Sequence, residues 1–169
     1  ASDTTRIVFL DNPNNPCGTA FGNDALLKLL DRLGEETLVV VDEAYAEYAG
    51  PEFETAMGLL DRRPNLIVTR TFSKAYGLAG LRIGYAIGRP ELLAPAQGAG
   101  IPLSVSAPAQ LAAEVSLDHM DQITSRVHEV AGRITQVREA FAEIGGGLPL
   151  PYGNFVWLPT GDHTEEVVS

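Results

Sequence analysis

Two hydrophobic patterns alternate along the chain. Short apolar runs, rich in β-branched residues and almost free of polar interruption, stand at 7–10, 37–41, 66–69 and 83–87. Runs of this kind predict strands covered on both faces, as in a parallel sheet. Between the first two, Leu26, Leu27, Leu29, Leu30 and Leu33 recur at helical spacing. Asn23 or Asp24 is placed to cap that helix and Gly34 to stop it. A short helix is predicted at 55–60 and a helical turn at 90–93. Beyond a Gly-, Pro- and Ser-rich loop at 97–106, helices are predicted at 108–119 and 120–144, the second with its charges on one side. The glycines at 145–147 form a break. A further strand is predicted at 154–158, and 160–169 reads as the cap and first turn of another helix. The order β-loop-α-β-α-β predicts an α/β sheet with right-handed crossovers. Ligand groups in such sheets lie in loops past the carboxyl ends of the strands, and Asn15, Asp42 and Lys74 all fall at that edge.

Composition narrows the classes. With 169 residues, 45% of them hydrophobic, the chain can bury a core, and its length alone suggests one domain. A formal net charge of -10 with no basic block argues against a nucleic-acid partner. The single cysteine, Cys17, excludes an internal disulfide and fits a reducing, cytoplasmic setting. No apolar run approaches membrane-spanning length. Residues 1–7 are polar and unlike a signal peptide, and the chain begins without methionine.

The densest chemistry lies in 66–88. A buried strand runs into Arg70-Thr71-Phe72-Ser73-Lys74, then a small-residue run, then Arg82 and a second strand. Of twelve basic residues only Lys28 and Lys74 are lysines. Arginine cannot replace a lysine that must lose its proton and attack a carbonyl. Hydroxyls with a guanidinium suit a phosphate. The stretch therefore suggests a Schiff-base lysine beside a phosphate site. The plain alternative is a lysine snorkelling at a strand end, with Thr71 and Ser73 making turns.

Other chemistries fit less well. The run Leu38-Val39-Val40-Val41-Asp42-Glu43 could present a carboxylate to magnesium, as nucleotide hydrolases do. No Gly-x-x-x-x-Gly-Lys-Ser/Thr loop accompanies it. Asp42 could also cap a helical turn. His119, His128 and His163 are scattered, so no metal site is predicted, and no Gly-x-Ser-x-Gly elbow is present.

Four segments in order carry a family resemblance: Asn12-Pro13-Asn14-Asn15-Pro16-Cys17-Gly18, Asp42-Glu43-Ala44-Tyr45, Thr71-Phe72-Ser73-Lys74 and Gly80-Leu81-Arg82-Ile83-Gly84. Over nearly the whole chain the sequence resembles the fold-type I, pyridoxal-phosphate-dependent aminotransferases. Within them it is most similar to the histidinol-phosphate and aromatic amino-acid branch. The resemblance implies an α/β, three-layer large domain with a mostly parallel sheet, spanning 1–144 and including a long connecting helix. It implies that 145–169 starts an α+β small domain.

It also implies roles. Lys74 would hold the cofactor as a Schiff base and then move a proton between the substrate α-carbon and the cofactor. Asp42 would keep the pyridine nitrogen protonated. Asn15 and Tyr45 would hydrogen-bond the ring oxygen. Thr71, Ser73 and Arg82 would bind the phosphate. By themselves, Asn15 reads better as a turn asparagine between prolines and Tyr45 as a helix-face aromatic.

The implied reaction is amino transfer between histidinol phosphate or an aromatic amino acid and a 2-oxo acid, in a cytoplasmic homodimer with no membrane or nucleic-acid partner. A same-fold decarboxylase of the threonine-phosphate type and a cofactor-binding sensor are the rivals. Cys17 departs from the usual threonine and is expected to face away from the cofactor, and Tyr152 stands where serine is common. The family's upstream third, with its stacking aromatic, and its downstream carboxylate-binding arginine find no counterpart. The chain is therefore expected to be part of a longer enzyme and inactive alone.

Overall fold

The computed structural model describes residue 2 and residues 4–168. Ala1 and Asp3 of the polar first segment, and Ser169 of the expected terminal helix, lie outside the described residues. Strands β1 (Ile7–Asp11), β2 (Leu38–Asp42), β3 (Leu66–Thr71) and β4 (Gly84–Gly88) form one sheet in the order β1-β2-β3-β4. The first three are parallel and β4 is antiparallel to β3, so the expected α/β, mostly parallel sheet is present. Parallel neighbours need a crossover, which helix α1 (Asn23–Leu33) supplies between β1 and β2. Between β3 and β4 there is only a loop with one 3-10 turn, Ala79–Leu81, so the chain returns antiparallel. That return sets Gly84 beside Thr71. A Cβ on Gly84 would lie 2.7 Å from the Arg70 carbonyl oxygen, so this close approach requires glycine.

Strand alternation sorts the side chains. Val39, Val41, Leu66 and Val68 share one face and pack against Leu26 and Leu30 of α1 and Leu59 of a 3-10 turn, Ala56–Leu59. Each such side chain, once fully buried, stabilises the fold by roughly 1.5–3 kcal/mol. On the opposite face Ile7 and Phe9 stay 50% and 72% exposed, and the same face carries Asp11 and Asp42 at its carboxyl end. A second cluster joins Phe72, Ala75 and Tyr76 to Ala113 of α3 (Ala107–Leu117) and Ile123 of α4 (Met120–Glu143). Lys74 sits inside that anchored segment.

Several boundaries differ from the sequence expectation. Helix α1 has Gly22 as its cap residue. The carboxylate of Glu54 takes the place of a local cap, accepting from the Asn23 backbone N–H at 2.7 Å. Helix α2 (Pro90–Ala99) runs well past the expected turn, through Pro95. Pro95 costs the helix one backbone donor, and the strong helix formers around it, Leu92, Leu93, Ala94 and Ala96, carry the helix through. The 154–158 segment forms no strand. It has no ladder partner, and Phe155 packs on Tyr45 instead. Helix α5 (Thr164–Val168) follows, as expected. Among the described residues no helix is long and apolar enough to cross a membrane.

Candidate active site

The carboxyl ends of β1 and β2 and the loop after β3 enclose a cleft of about 310 Å3, lined by Asp11, Pro13, Asn15, Asp42, Ala44, Tyr45 and Lys74. Parallel register makes Asp11 the neighbour of Asp42, so two carboxylates stand side by side at the sheet edge. Asp42 is the last residue of β2, and its Oδ1 accepts the Ala44 backbone N–H at 3.0 Å. That short-range bond turns the chain so that Tyr45 faces the same cleft. The Asn15 amide donates to the Tyr45 hydroxyl oxygen at 2.8 Å, leaving the hydroxyl proton available for another acceptor. Phe155 braces Tyr45 edge-on, with ring centroids 5.3 Å apart.

The Lys74 amine lies 5.1 Å from the centre of the Tyr45 ring. Among the described residues it has no hydrogen bond and no carboxylate within ion-pair distance. The cleft thus brings together four of the residues singled out in sequence, Asn15, Asp42, Tyr45 and Lys74. Thr71, Ser73 and Arg82 do not line it. Thr71 Oγ1 accepts the Ser73 backbone N–H at 3.1 Å. Arg82 adopts a left-handed backbone conformation, φ 52°, and its guanidinium donates to the Ala79 carbonyl at 2.7 Å. The antiparallel return still delivers Arg82 to the same sheet edge as Thr71. Cys17 is partly buried and outside the lining.

Sequence reading missed Asp11, Phe155 and the support behind Asp42. Asp11 could have been found, because it ends an apolar strand as Asp42 does. The support is a buried ion pair. Glu43 is fully buried, and its Oε2 accepts from Arg70 Nε at 2.9 Å, Arg70 Nη2 at 2.7 Å and the Thr55 hydroxyl at 2.7 Å. Its Oε1 accepts the Ala56 backbone N–H at 2.6 Å. Arg70 Nη1 also reaches Glu47 at 3.4 Å.

Burial pushes the Glu47 carboxyl above its ordinary value of 4.5, and the partial pull of Arg70 does not offset it. A carboxyl that holds its proton more tightly folded than unfolded stabilises the fold below its unfolded pKa. It loses that contribution as pH rises through the folded value. The stability of the wild type relative to Glu47→Gln should therefore fall as pH is raised from 4 toward 7, by urea denaturation at each pH. A difference that stays constant would refute this.

Fold and cleft together define an α/β protein with a lysine-bearing ligand cleft at the carboxyl edge of its sheet. The sequence model described as aminotransferase class I and II matches residues 1–167, and the chain belongs to that family. It is 42% identical over 168 residues to an aromatic amino acid aminotransferase of Mycobacterium tuberculosis, covering 99% of this chain and 48% of that protein. A histidinol-phosphate aminotransferase from Sinorhizobium meliloti, solved in complex with pyridoxal-5'-phosphate, superimposes with a TM-score of 0.82 at 33% identity. That match covers 89% of this chain and 41% of the other. An L-threonine-O-3-phosphate decarboxylase from Porphyromonas gingivalis gives 0.75 at 28%, covering 89% and 46%. The chain spans about half the length of the curated relatives it matches.

Proposed function

We propose that this chain carries the cofactor-holding part of a pyridoxal-phosphate-dependent aminotransferase. The observation that carries the reading is the convergence of the Lys74 amine, the Asp42 carboxylate and the hydrogen-bonded Asn15–Tyr45 pair in one cleft. The donor set fits the cofactor. An amine without an ion-pair partner suits its aldehyde, a carboxylate its ring nitrogen, and an amide with a phenol its ring oxygen. A cleft of about 310 Å3 is at the small end of the range for small-molecule sites.

When bound, pyridoxal phosphate supplies an electron-withdrawing ring that takes up the charge developing on the substrate α-carbon. Lys74 Nζ would be the residue that holds the cofactor and the base that moves the proton at the substrate α-carbon. The Asp42 carboxylate would hold a proton on the ring nitrogen, and the Tyr45 hydroxyl and the Asn15 amide would orient the ring through its oxygen. Thr71, Ser73 and Arg82 would hold the phosphate, Arg82 as the charged member once it leaves the Ala79 carbonyl.

The amino donor is an aromatic amino acid or histidinol phosphate and the acceptor a 2-oxo acid, in a homodimer. The aromatic aminotransferase relative, at 42% identity, and the histidinol-phosphate aminotransferase neighbour, at 33%, both support this substrate class. The threonine-phosphate decarboxylase neighbour supports decarboxylation on the same site as the second reading. Product analysis separates the two, since amino transfer forms an oxo acid and decarboxylation releases carbon dioxide. For the cofactor, borohydride reduction of the loaded full-length protein followed by peptide mapping should place the pyridoxyl group on Lys74. Label on Lys28, or no label, would refute the assignment.

A further inference from the structure

We propose that the buried Glu43–Arg70 pair is a positioning device, holding the turn that carries Asp42 and Tyr45 in register with Lys74. The proposal rests on the reading of the cleft given above. Asp42 and Glu43 are consecutive at a strand end, so their side chains leave on opposite sides. Asp42 lines the cleft, while Glu43 enters the interior and is fully buried. Arg70 follows Thr69, the register partner of Asp42, and precedes Lys74 by four residues. One guanidinium therefore ties the strand that ends in Asp42 to the strand that leads to Lys74, from the side away from the ligand.

The geometry is restrictive. Arg70 places both Nε and Nη2 on a single oxygen of Glu43, at 2.9 and 2.7 Å, and the other oxygen is held by the Ala56 N–H. Thr55 Oγ1 closes the set by donating to Glu43 and accepting from Arg70 Nη2 at 3.2 Å. The Glu43 backbone is fixed as well, its N–H bonded to the Thr69 carbonyl and its carbonyl to the Ala46 N–H. Glu43 can neither rotate nor slide without breaking several bonds, and Asp42 and Tyr45 are its neighbours at one and two residues.

An ion pair withdrawn from water recovers little net stability, and apolar residues of similar volume do as well or better. What such residues lack is the planar fork that sets direction. Lysine, with one mobile ammonium, lacks it too.

The test compares Arg70→Lys and the doubly apolar Glu43→Met/Arg70→Met with wild type in the cofactor-loaded full-length enzyme that contains this chain. For folded variants we expect kcat to fall about tenfold or more with KM within about twofold, as small misplacements of reacting groups slow chemistry without removing binding. The pH midpoint of the bound cofactor's absorbance should move, because Asp42 and Tyr45 act on the ring. In the cofactor-free protein, amide exchange at Ala44 and Ala46 should quicken. The double variant keeps the packing, so it reports on direction even where Arg70→Lys is too unstable to isolate. Unchanged kcat and unchanged midpoint in the double variant, with normal wild-type absorbance, would overturn the positioning role alone. Absence of cofactor absorbance in the wild type would overturn the cleft reading and this proposal with it.

Discussion

Asp42→Asn should lower kcat for amino transfer by the full-length enzyme by about 10²-fold or more, equivalent to about 3 kcal/mol of transition-state stabilisation, while cofactor binding survives. Asparagine keeps the size of the side chain and can still accept the Ala44 N–H that now holds Oδ1. What it removes is the charge. A carboxylate beside a ring nitrogen favours the protonated ring, and only a protonated ring draws electron density strongly from the α-carbon. The loss should therefore appear in proton abstraction, measured as the rate of each half-reaction, and not in cofactor retention. Undiminished half-reaction rates would remove Asp42 from the mechanism. Glu43→Gln is the matched comparison, with the same change of charge one residue along. It should lose less turnover, since Glu43 does not reach the cleft. If Glu43→Gln were instead the crippled variant, the motif would be placed one residue out and a carboxylate–metal reading would reopen.

Glu43→Ala should destabilise the fold by about 3 kcal/mol, because removing one partner of a buried pair leaves the other charge uncompensated. Arg70 is only 13% exposed at its side chain, so water cannot replace the lost carboxylate fully. Three further donors lose their acceptor's company at the same time: the Ala56 N–H, the Thr55 hydroxyl and the second Arg70 nitrogen. Glu47 lies 3.4 Å from Arg70 and absorbs part of the charge, which keeps the expected loss at the lower end of the range for buried pairs. Denaturant unfolding of the wild type and the variant reads the difference directly. A loss below about 1 kcal/mol, typical of an exposed pair, would mean that Arg70 is solvated in solution. Adding Arg70→Met to Glu43→Met should restore part of the stability, since the uncompensated guanidinium is then gone while the Ala56 N–H, the Thr55 hydroxyl and Glu47 still lack their partners.

The strands and the main helices were legible in the sequence because the signals that form them are local. Unbroken β-branched runs such as Val39–Val41 cannot be accommodated except in a covered strand, and the leucine spacing in 26–33 has one face to bury. Strand ends were legible for the same reason, and with them Asn15, Asp42 and Lys74, each just past or at the end of a run. Their meeting in one cleft follows from parallel strands sharing a carboxyl edge. The chain order of these motifs also carried the family.

Tertiary structure decided the rest, wherever a residue's role depended on something far along the chain. Asp11 and Asp42 look alike in sequence context, and only the β1–β2 register sets them side by side. Asp42 and Glu43 are adjacent acids, and which one is buried depends on Arg70, 27 positions away, arriving behind the sheet. The 154–158 run has the composition of a strand but pairs with none of the four strands, and Phe155 packs on Tyr45 instead. A strand is a property of two segments, and a buried charge is a property of its partner. Neither can be read from one stretch of chain.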